Sequence, residues 1–324
     1  MNRLVSLAIA GVMSIAAGAA SAQTRWQMPT PYAPQNFHTV NVQQFVDEIR
    51  TGTSGRLDIT VHAAGTLLPL PQILRNVQTG DVQMGEVLLS ALENEDPIFG
   101  ADAVPFLVTG YDAAMRLYQA QRPLLERRLS ARGIRLLYSV AWPPQGFYAN
   151  RAINTIADLR GLSFRSYGPS AARFGELVGA AVSTIQAAEL SQALATGRVN
   201  SMITSSVTGT DSRVWESPVR FYYEIDAWVP KNIVVVNERA FQSLDQATRD
   251  LILRAAASAE QRGWAASREA SQRGLETLRQ NGMTVGRPSE QLMRELRQVG
   301  VRMAADWEGR AGAEGQALLA PFKQ

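Results

Sequence analysis

The sequence contains no cysteine and only two histidines, His38 and His62, in 324 residues. The first absence excludes disulfide frameworks, thiolate metal sites and cysteine nucleophiles together. The second leaves almost nothing from which to build a histidine-rich zinc site or a His-dependent triad. Lysine is nearly missing as well. Of 32 basic residues only Lys231 and Lys323 are lysine, and the rest are arginine. With alanine so abundant, this reads as a compositional habit, so residue type alone marks no arginine as special. Nor is there a dense basic stripe. The net charge is only +3, which argues against a nucleic-acid partner.

Other motifs are absent too. There is no H-E-x-x-H, and neither lysine follows a phosphate-binding glycine loop. Gly309, Gly312 and Gly315 have the wrong spacing for a dinucleotide fingerprint. Gly168-Pro169-Ser170-Ala171-Ala172 lacks the second glycine of a nucleophile elbow. Acid pairs such as Asp47/Glu48 and Glu93/Glu95/Asp96 sit in polar helix or loop settings rather than in a glycosidase-like pocket. No metal site, no cofactor and no catalytic group is expected.

What is present begins with a leader. Arg3 precedes the apolar stretch Leu4 to Ala20, and Ala20-Ser21-Ala22 reads as a cleavage site before Gln23. Residues 1–22 are read as a signal peptide, which places the mature chain in the periplasm. The chain then runs through two similar α/β units. In the first, strands at Trp26 to Met28 and at Leu57, Ile59 and Val61 flank a helix with Val42, Phe45, Val46 and Ile49 on one face. A short helix over Pro71 to Gln78 stops at Gly80, and a strand follows from Val82. Asp112 is expected to cap a further helix, and Ile134 to Val140 to form a strand. In the second unit, a strand over Gly161 to Arg165 leads into a helix at Gly168-Pro169-Ser170. Another helix, Ala187 to Ala195, stops at Gly197 before a strand over Val199 to Ile203. Thr79-Gly80-Asp81-Val82 and Thr196-Gly197-Arg198-Val199 are the same helix-stop-strand step. Two related α/β lobes follow from that order.

The chain then returns. Ile233 to Val236 reads as a buried strand. Asp245 to Asn281 reads as one helix, roughly 55 Å long if unbroken, which exceeds one lobe and is expected to cross both. Gly263 and Gly274 are expected to allow bends in it. A last helix, capped at Pro288-Ser289-Glu290, carries Leu292, Leu296 and Met303.

Arg165 stands out by position. It lies at the end of a strand and just before a helix start, where ligands bind in α/β clefts. Its guanidinium fork suits a carboxylate, and free N–H groups from Gly168 to Ala171 are expected to add to the attraction. On residue type alone, a surface arginine in a salt bridge is the commoner case.

The sequence resembles the periplasmic solute-binding subunits of tripartite ATP-independent periplasmic (TRAP) transporters, in their dicarboxylate-binding-protein-like branch. The likeness covers nearly all of the mature chain. It rests on Gly55-Arg56-Leu57, on His62-Ala63-Ala64-Gly65-Thr66-Leu67, on Gly80-Asp81-Val82-Gln83-Met84 and on Val104-Pro105-Phe106-Leu107. It rests above all on Asn150-Arg151-Ala152-Ile153 followed by Ala157 to Arg165. The resemblance implies a two-lobe periplasmic binding protein fold of type II-like design, with a ligand cleft between the lobes and a long helix spanning both. Lobe I is expected to take 23–142 and 231–270, and lobe II 143–230 and 271–324. It implies a non-enzymatic, monomeric receptor that passes an organic acid to the small and large permease subunits, with Arg165 gripping the carboxylate. Gln145 stands where some members carry a second arginine. Asn200 to Thr204 replaces an Asp-Gly-x-Glu-Asn segment, so polar contacts there are expected from Thr204, Ser205 or Ser206. Asp226-Ala227-Trp228-Val229-Pro230 replaces a His-x-Tyr-x-Pro run. Tyr167 is taken as a further ligand contact beside Arg165, and Glu86 as a reader of a hydroxyl or amine. Trp142, Phe147 and Trp228 point to an aromatic or branched monocarboxylate, unless they serve only as packing. Two alternatives stand beside this reading. One is the receptor of an ABC or tricarboxylate transporter. The other is a secreted hydrolase or lyase acting on an organic acid.

Overall fold

The computed structural model describes residues 23–323, so the leader at 1–22 lies outside the described residues. The first pass of the chain forms β1 (Thr24–Pro29), α1 (Phe37–Gly52), β2 (Leu57–His62), α2 (Leu70–Thr79), β3 (Met84–Leu88), α3 (Gly110–Ser130) and β4 (Ile134–Ala141). The second forms β5 (Gly146–Ala149), β6 (Ser163–Ser166), α4 (Pro169–Leu177), β7 (Ala181–Thr184), α5 (Leu190–Ala195), β8 (Ser201–Thr204), α6 (Ser206–Asp211) and β9 (Phe221–Tyr223). The return supplies β10 (Lys231–Asn237), α7 (Glu238–Gln242), α8 (Gln246–Gln280), β11 (Thr284–Gly286) and α9 (Glu290–Leu319).

Two groups of strands result. In one, β1 and β2 pair in parallel, while β10 lies between β3 and β4 and runs antiparallel to both. In the other, six strands follow the order β11-β9-β5-β8-β6-β7. β10 joins the first group although it comes after the whole second unit, so the chain crosses between lobes and back. Every residue of β10 is buried, which fits its unbroken Ile233-Val234-Val235-Val236 run. Val42, Phe45, Val46 and Ile49 of α1 are buried against the same sheet region. Each such side chain contributes about 1.5–3 kcal/mol by leaving water.

The twin glycine stops appear as expected from their sequence. Gly80 and Gly197 both take left-handed φ, +88° and +70°. The amide of Val82 reaches back to Asn76 O and that of Val199 to Ala193 O, the same closing bond in each lobe.

Three local expectations need correction. Asp112 does not cap α3. The helix starts two residues earlier behind Thr109, and Asp112 lies in its first turn, where a carboxylate still favours the helix dipole. The helix expected from Ala187 is divided into a 3-10 turn, Ala187–Glu189, and the six-residue α5. The strand expected from Val199 starts at Ser201, because Val199 is spent on the helix-closing bond. α8 is helical from Gln246 to Gln280 without interruption at Gly263 or Gly274. A Cβ at Gly263 would collide with Val140 of β4, and one at Gly274 would collide with Ser206 of α6. The glycines are therefore points of close approach, one to each group of strands. α9 also meets both groups. Gly300 lies against Pro105 and Phe106, and Glu314 pairs with Arg127 and Arg128 of α3, while Arg173 of α4 reaches Asp306.

The two crossing segments run side by side. Trp142 N donates to Pro230 O (2.8 Å), Gln145 N to Trp228 O (2.9 Å) and Ala227 N to Gln145 O (2.9 Å). Asp226, at their start, holds a left-handed φ of +45°.

Candidate functional site

Strand direction brings the site together. β6 runs parallel to β8, so Arg165 near the end of one and Thr204 at the end of the other share a sheet edge. β5 runs antiparallel to β8 and pairs Gly146 with Thr204, which adds Gln145 to that edge. In the facing lobe, the ends of β1 and β2 lead into Pro31-Tyr32-Ala33 and Ala64-Gly65. The end of β3 gives Leu88, and the turn between β4 and β5 gives Trp142. These two edges enclose a cavity of about 410 Å³. Ligand sites in open α/β sheets lie beyond such strand ends.

Of the eight residues singled out in the sequence, Arg165, Gln145, Thr204 and Tyr167 line this cavity. Four do not. Ser205 turns away to cap α6, where its hydroxyl accepts from Thr208 N (3.0 Å). Phe147 is buried in the six-stranded sheet's core against Phe164, because its strand position points away from the cleft edge. Trp228 is likewise fully buried, and its Nε1 donates to Tyr167 Oη (2.9 Å). Glu86 lies one layer behind the wall, accepting from Thr30 Oγ1 and from Asn232 Nδ2 (2.9 Å). The start of α4 also misses the cavity. Gly168 faces Ser90 and Ala91, and Ser170 bonds Glu93.

Arg165 is 2% exposed. Its Nε donates to Ile185 O (2.9 Å), and its guanidinium lies 5.1 Å above the Tyr167 ring. Among the described residues no carboxylate pairs with it. Burial lowers its pKa to about 10, partly offset by the Tyr167 and Tyr32 hydroxyl oxygens. The group stays protonated at neutral pH. A buried ion normally carries a penalty of several kcal/mol unless a partner compensates it. Here the unshared nitrogens face a cavity.

Around the cation the wall is pinned by hydrogen bonds. Gln145 Nε2 donates to Pro143 O (2.8 Å), which leaves its Oε1 to accept from Tyr167 Oη (3.0 Å). Burial raises the Tyr167 phenol. Across the cleft mouth, Asn36 Nδ2 donates to Asp211 Oδ2 (2.7 Å), joining α1 to α6. Leu70, Leu88, Trp142 and Pro230 supply apolar wall. Among the described residues no cluster of three or more His, Asp or Glu side chains is placed to hold a metal, and no helix is long and apolar enough to cross a membrane.

Sequence reasoning did not reach Tyr32, Asn36, Asp211 or the Gln186–Ser191 segment, all of which line the cavity. Tyr32 had a usable signal: it sits in the proline-rich turn that follows β1, at a strand end. The Gln186–Ser191 segment had none, since it is brought in only by the position of β7.

The model of the bacterial extracellular solute-binding protein family 7 matches residues 32–308. Among solved structures, the Bordetella pertussis extracytoplasmic solute receptor DctP6, which binds pyroglutamic acid, is 46% identical. The match covers 92% of this chain and 99% of that one, with a TM-score of 0.90. A marine metagenome TRAP solute-binding protein specific for pyroglutamate is 37% identical, over 93% of this chain and 99% of that one, also with a TM-score of 0.90. A periplasmic protein of Nostoc sp. that binds monocarboxylate 2-oxoacids is 25% identical over 254 residues, which is 76% of this chain and 69% of that one. The family model and the fold and sequence of its relatives agree: this chain belongs to the bacterial extracellular solute-binding protein family 7, and is a solute receptor rather than an enzyme.

Proposed function

We propose that this chain is a periplasmic receptor for a small monocarboxylate of the size of pyroglutamate, which it passes to the small and large permease subunits of a TRAP transporter. The observation that carries the reading is Arg165, a buried cation with no carboxylate partner among the described residues and with nitrogens free to face the cavity. A ligand carboxylate would satisfy those nitrogens with two parallel hydrogen bonds. The cavity of about 410 Å³ is at the small end of ligand sites. The case made from Trp142, Phe147 and Trp228 for a larger ring-bearing acid is weakened, because of these three only Trp142 lines the cavity and the other two are core residues. The two 37–46% identical receptors, both described as binding pyroglutamate, favour a compact acid. Gln145, Tyr167 and Thr204 are assigned as further contacts, and the receptor acts as a monomer after loss of residues 1–22. Lobe I comprises 23–142 and 231–270, and lobe II takes the remainder of the mature chain. Closure by hinge motion about the paired crossing segments would bring the lobes onto the ligand.

The test is thermal shift of the purified chain against a panel of carboxylates, with mass spectrometry of any acid carried through purification. A bound acid recovered unchanged supports the receptor. An Arg165→Ala variant with full affinity for that acid overturns the assignment, and turnover of the acid would favour an enzyme.

A further inference from the structure

Glu86 does not reach the cavity, yet it touches a chain of bonds that does. It is 1% exposed, and its carboxylate accepts from Thr30 and from Asn232 Nδ2, with His38 Nδ1 lying 3.3 Å away. Holding Asn232 by its nitrogen turns the amide oxygen the other way. That oxygen accepts from Trp142 Nε1 (2.9 Å) and Tyr32 Oη (3.1 Å). Indole N–H is only a donor, so Trp142 independently requires oxygen at that position. The amide orientation is therefore set from both ends. An amide oxygen cannot donate, so in the Tyr32–Asn232 bond the phenol must give its proton. Burial raises the Tyr32 phenol, so it keeps that proton. With its hydrogen committed to Asn232, Tyr32 has only lone pairs left for the cavity that it lines.

We propose that Tyr32 is a specificity-determining hydrogen-bond acceptor, and that Glu86 and Asn232 are positioning residues that hold it in that role. The site would then select carboxylates that carry an N–H or O–H donor near the acid group over counterparts that present a lone pair at the same place. This deepens the reading above and rests on it, since Arg165 must first fix the carboxylate. Tyr32 and Arg165 line the same small cavity, so one acid can meet both. A lactam such as pyroglutamate carries both groups, a carboxylate and a ring N–H. The corresponding lactone keeps the ring and the carboxylate but replaces that N–H by oxygen, which would face the Tyr32 lone pairs.

The experiment is calorimetric titration of the full mature chain with pyroglutamate and with its lactone analogue, 5-oxotetrahydrofuran-2-carboxylate, followed by a matched 2-hydroxy and 2-oxo acid pair. The wild type is expected to favour the donor-bearing member of each pair that binds by about tenfold to a hundredfold, the range for a buried hydrogen-bonding group left unpaired. Tyr32→Phe is expected to bring that ratio close to one, mainly by weakening the donor-bearing acid, while lactone binding persists and reports an intact fold. Equal wild-type affinities within each pair, or an unchanged ratio in Tyr32→Phe, overturn the proposal and leave the carboxylate receptor standing. Failure of the wild type to bind any carboxylate overturns the receptor reading instead. Should Tyr32→Phe not fold, a wild-type co-crystal with pyroglutamate decides. The lactam nitrogen within hydrogen-bond distance of Tyr32 Oη supports the proposal, and an N–H directed elsewhere overturns it.

Discussion

Among the described residues two side-chain cations are buried, Lys231 and Arg165, and they are solved differently. Lys231, at the start of β10, is fully buried, and its Nζ sits 3.1 Å from the equally buried Asp102 Oδ2. The same carboxylate oxygen accepts from the Lys231 backbone amide at 2.8 Å. Arg165, at the facing sheet edge, has the Ile185 carbonyl, the Tyr167 ring and no acid. Burial lowers the pKa of both cations, but only for Lys231 does a neighbouring carboxylate oppose it. The first charge has an acid beside it within the chain. The second is left for something that comes from outside. Burial alone does not mark a binding residue; burial without an internal partner, beside a cavity, does.

This contrast can be broken at several points. Asp102→Ala strands the Lys231 charge and should cost about 3–5 kcal/mol of unfolding free energy in a denaturant titration. A loss below about 1 kcal/mol would show that the pair is not structural. Arg165→Ala should do the opposite. It should weaken carboxylate binding by about 2–5 kcal/mol in calorimetry while the ligand-free melting temperature is held or raised, since an uncompensated buried charge is removed. If melting falls steeply instead, Arg165 belongs with Lys231 as a structural cation. Gly263→Val places a side chain against Val140 and should lower stability by about 1–3 kcal/mol, read by thermal melting. Asp211→Ala removes the bond from Asn36 across the cleft mouth. It should weaken ligand binding by about 0.5–1.5 kcal/mol with little change in melting. The smallest expected effect is of pH. Arg165 remains charged below its pKa of about 10, and a free carboxylic acid ionises near pH 4, so affinity should be flat from about pH 6 to 9. A steep change in that window would point to a group other than Arg165 in control.

Much of this was readable before any coordinates. Helical and strand periods marked the core faces of α1 and β2. The repeated Thr-Gly stops marked equivalent points in two lobes. Strand-end position marked Arg165 despite the many other arginines. What sequence could not resolve was direction and depth. Phe147 follows Gln145 by two residues and Trp228 sits on the returning crossing segment, yet strand alternation and that segment's course turn both into the core. Glu86 sits on the correct strand but points behind the wall, because Thr30 and Asn232, far away in sequence, provide its bonds. β5, β7, β9 and β11 are three or four residues long, too short for alternation to register. α9 is broken by a kink at Gly312, φ +62°, and resumes to Leu319, an extension that its leucine and methionine spacing did not announce.

The burial of Lys231 has a practical consequence. Of the two lysines, only Lys323 reaches solvent, and there is no thiol anywhere in the chain. Amine-directed reagents therefore meet one side chain besides the terminus, and thiol-directed reagents meet none. A single cysteine introduced at exposed Glu189, on the rim of the cleft, would be a uniquely addressable position for a fluorophore. The protein comes prepared to report its own ligand by a change in emission.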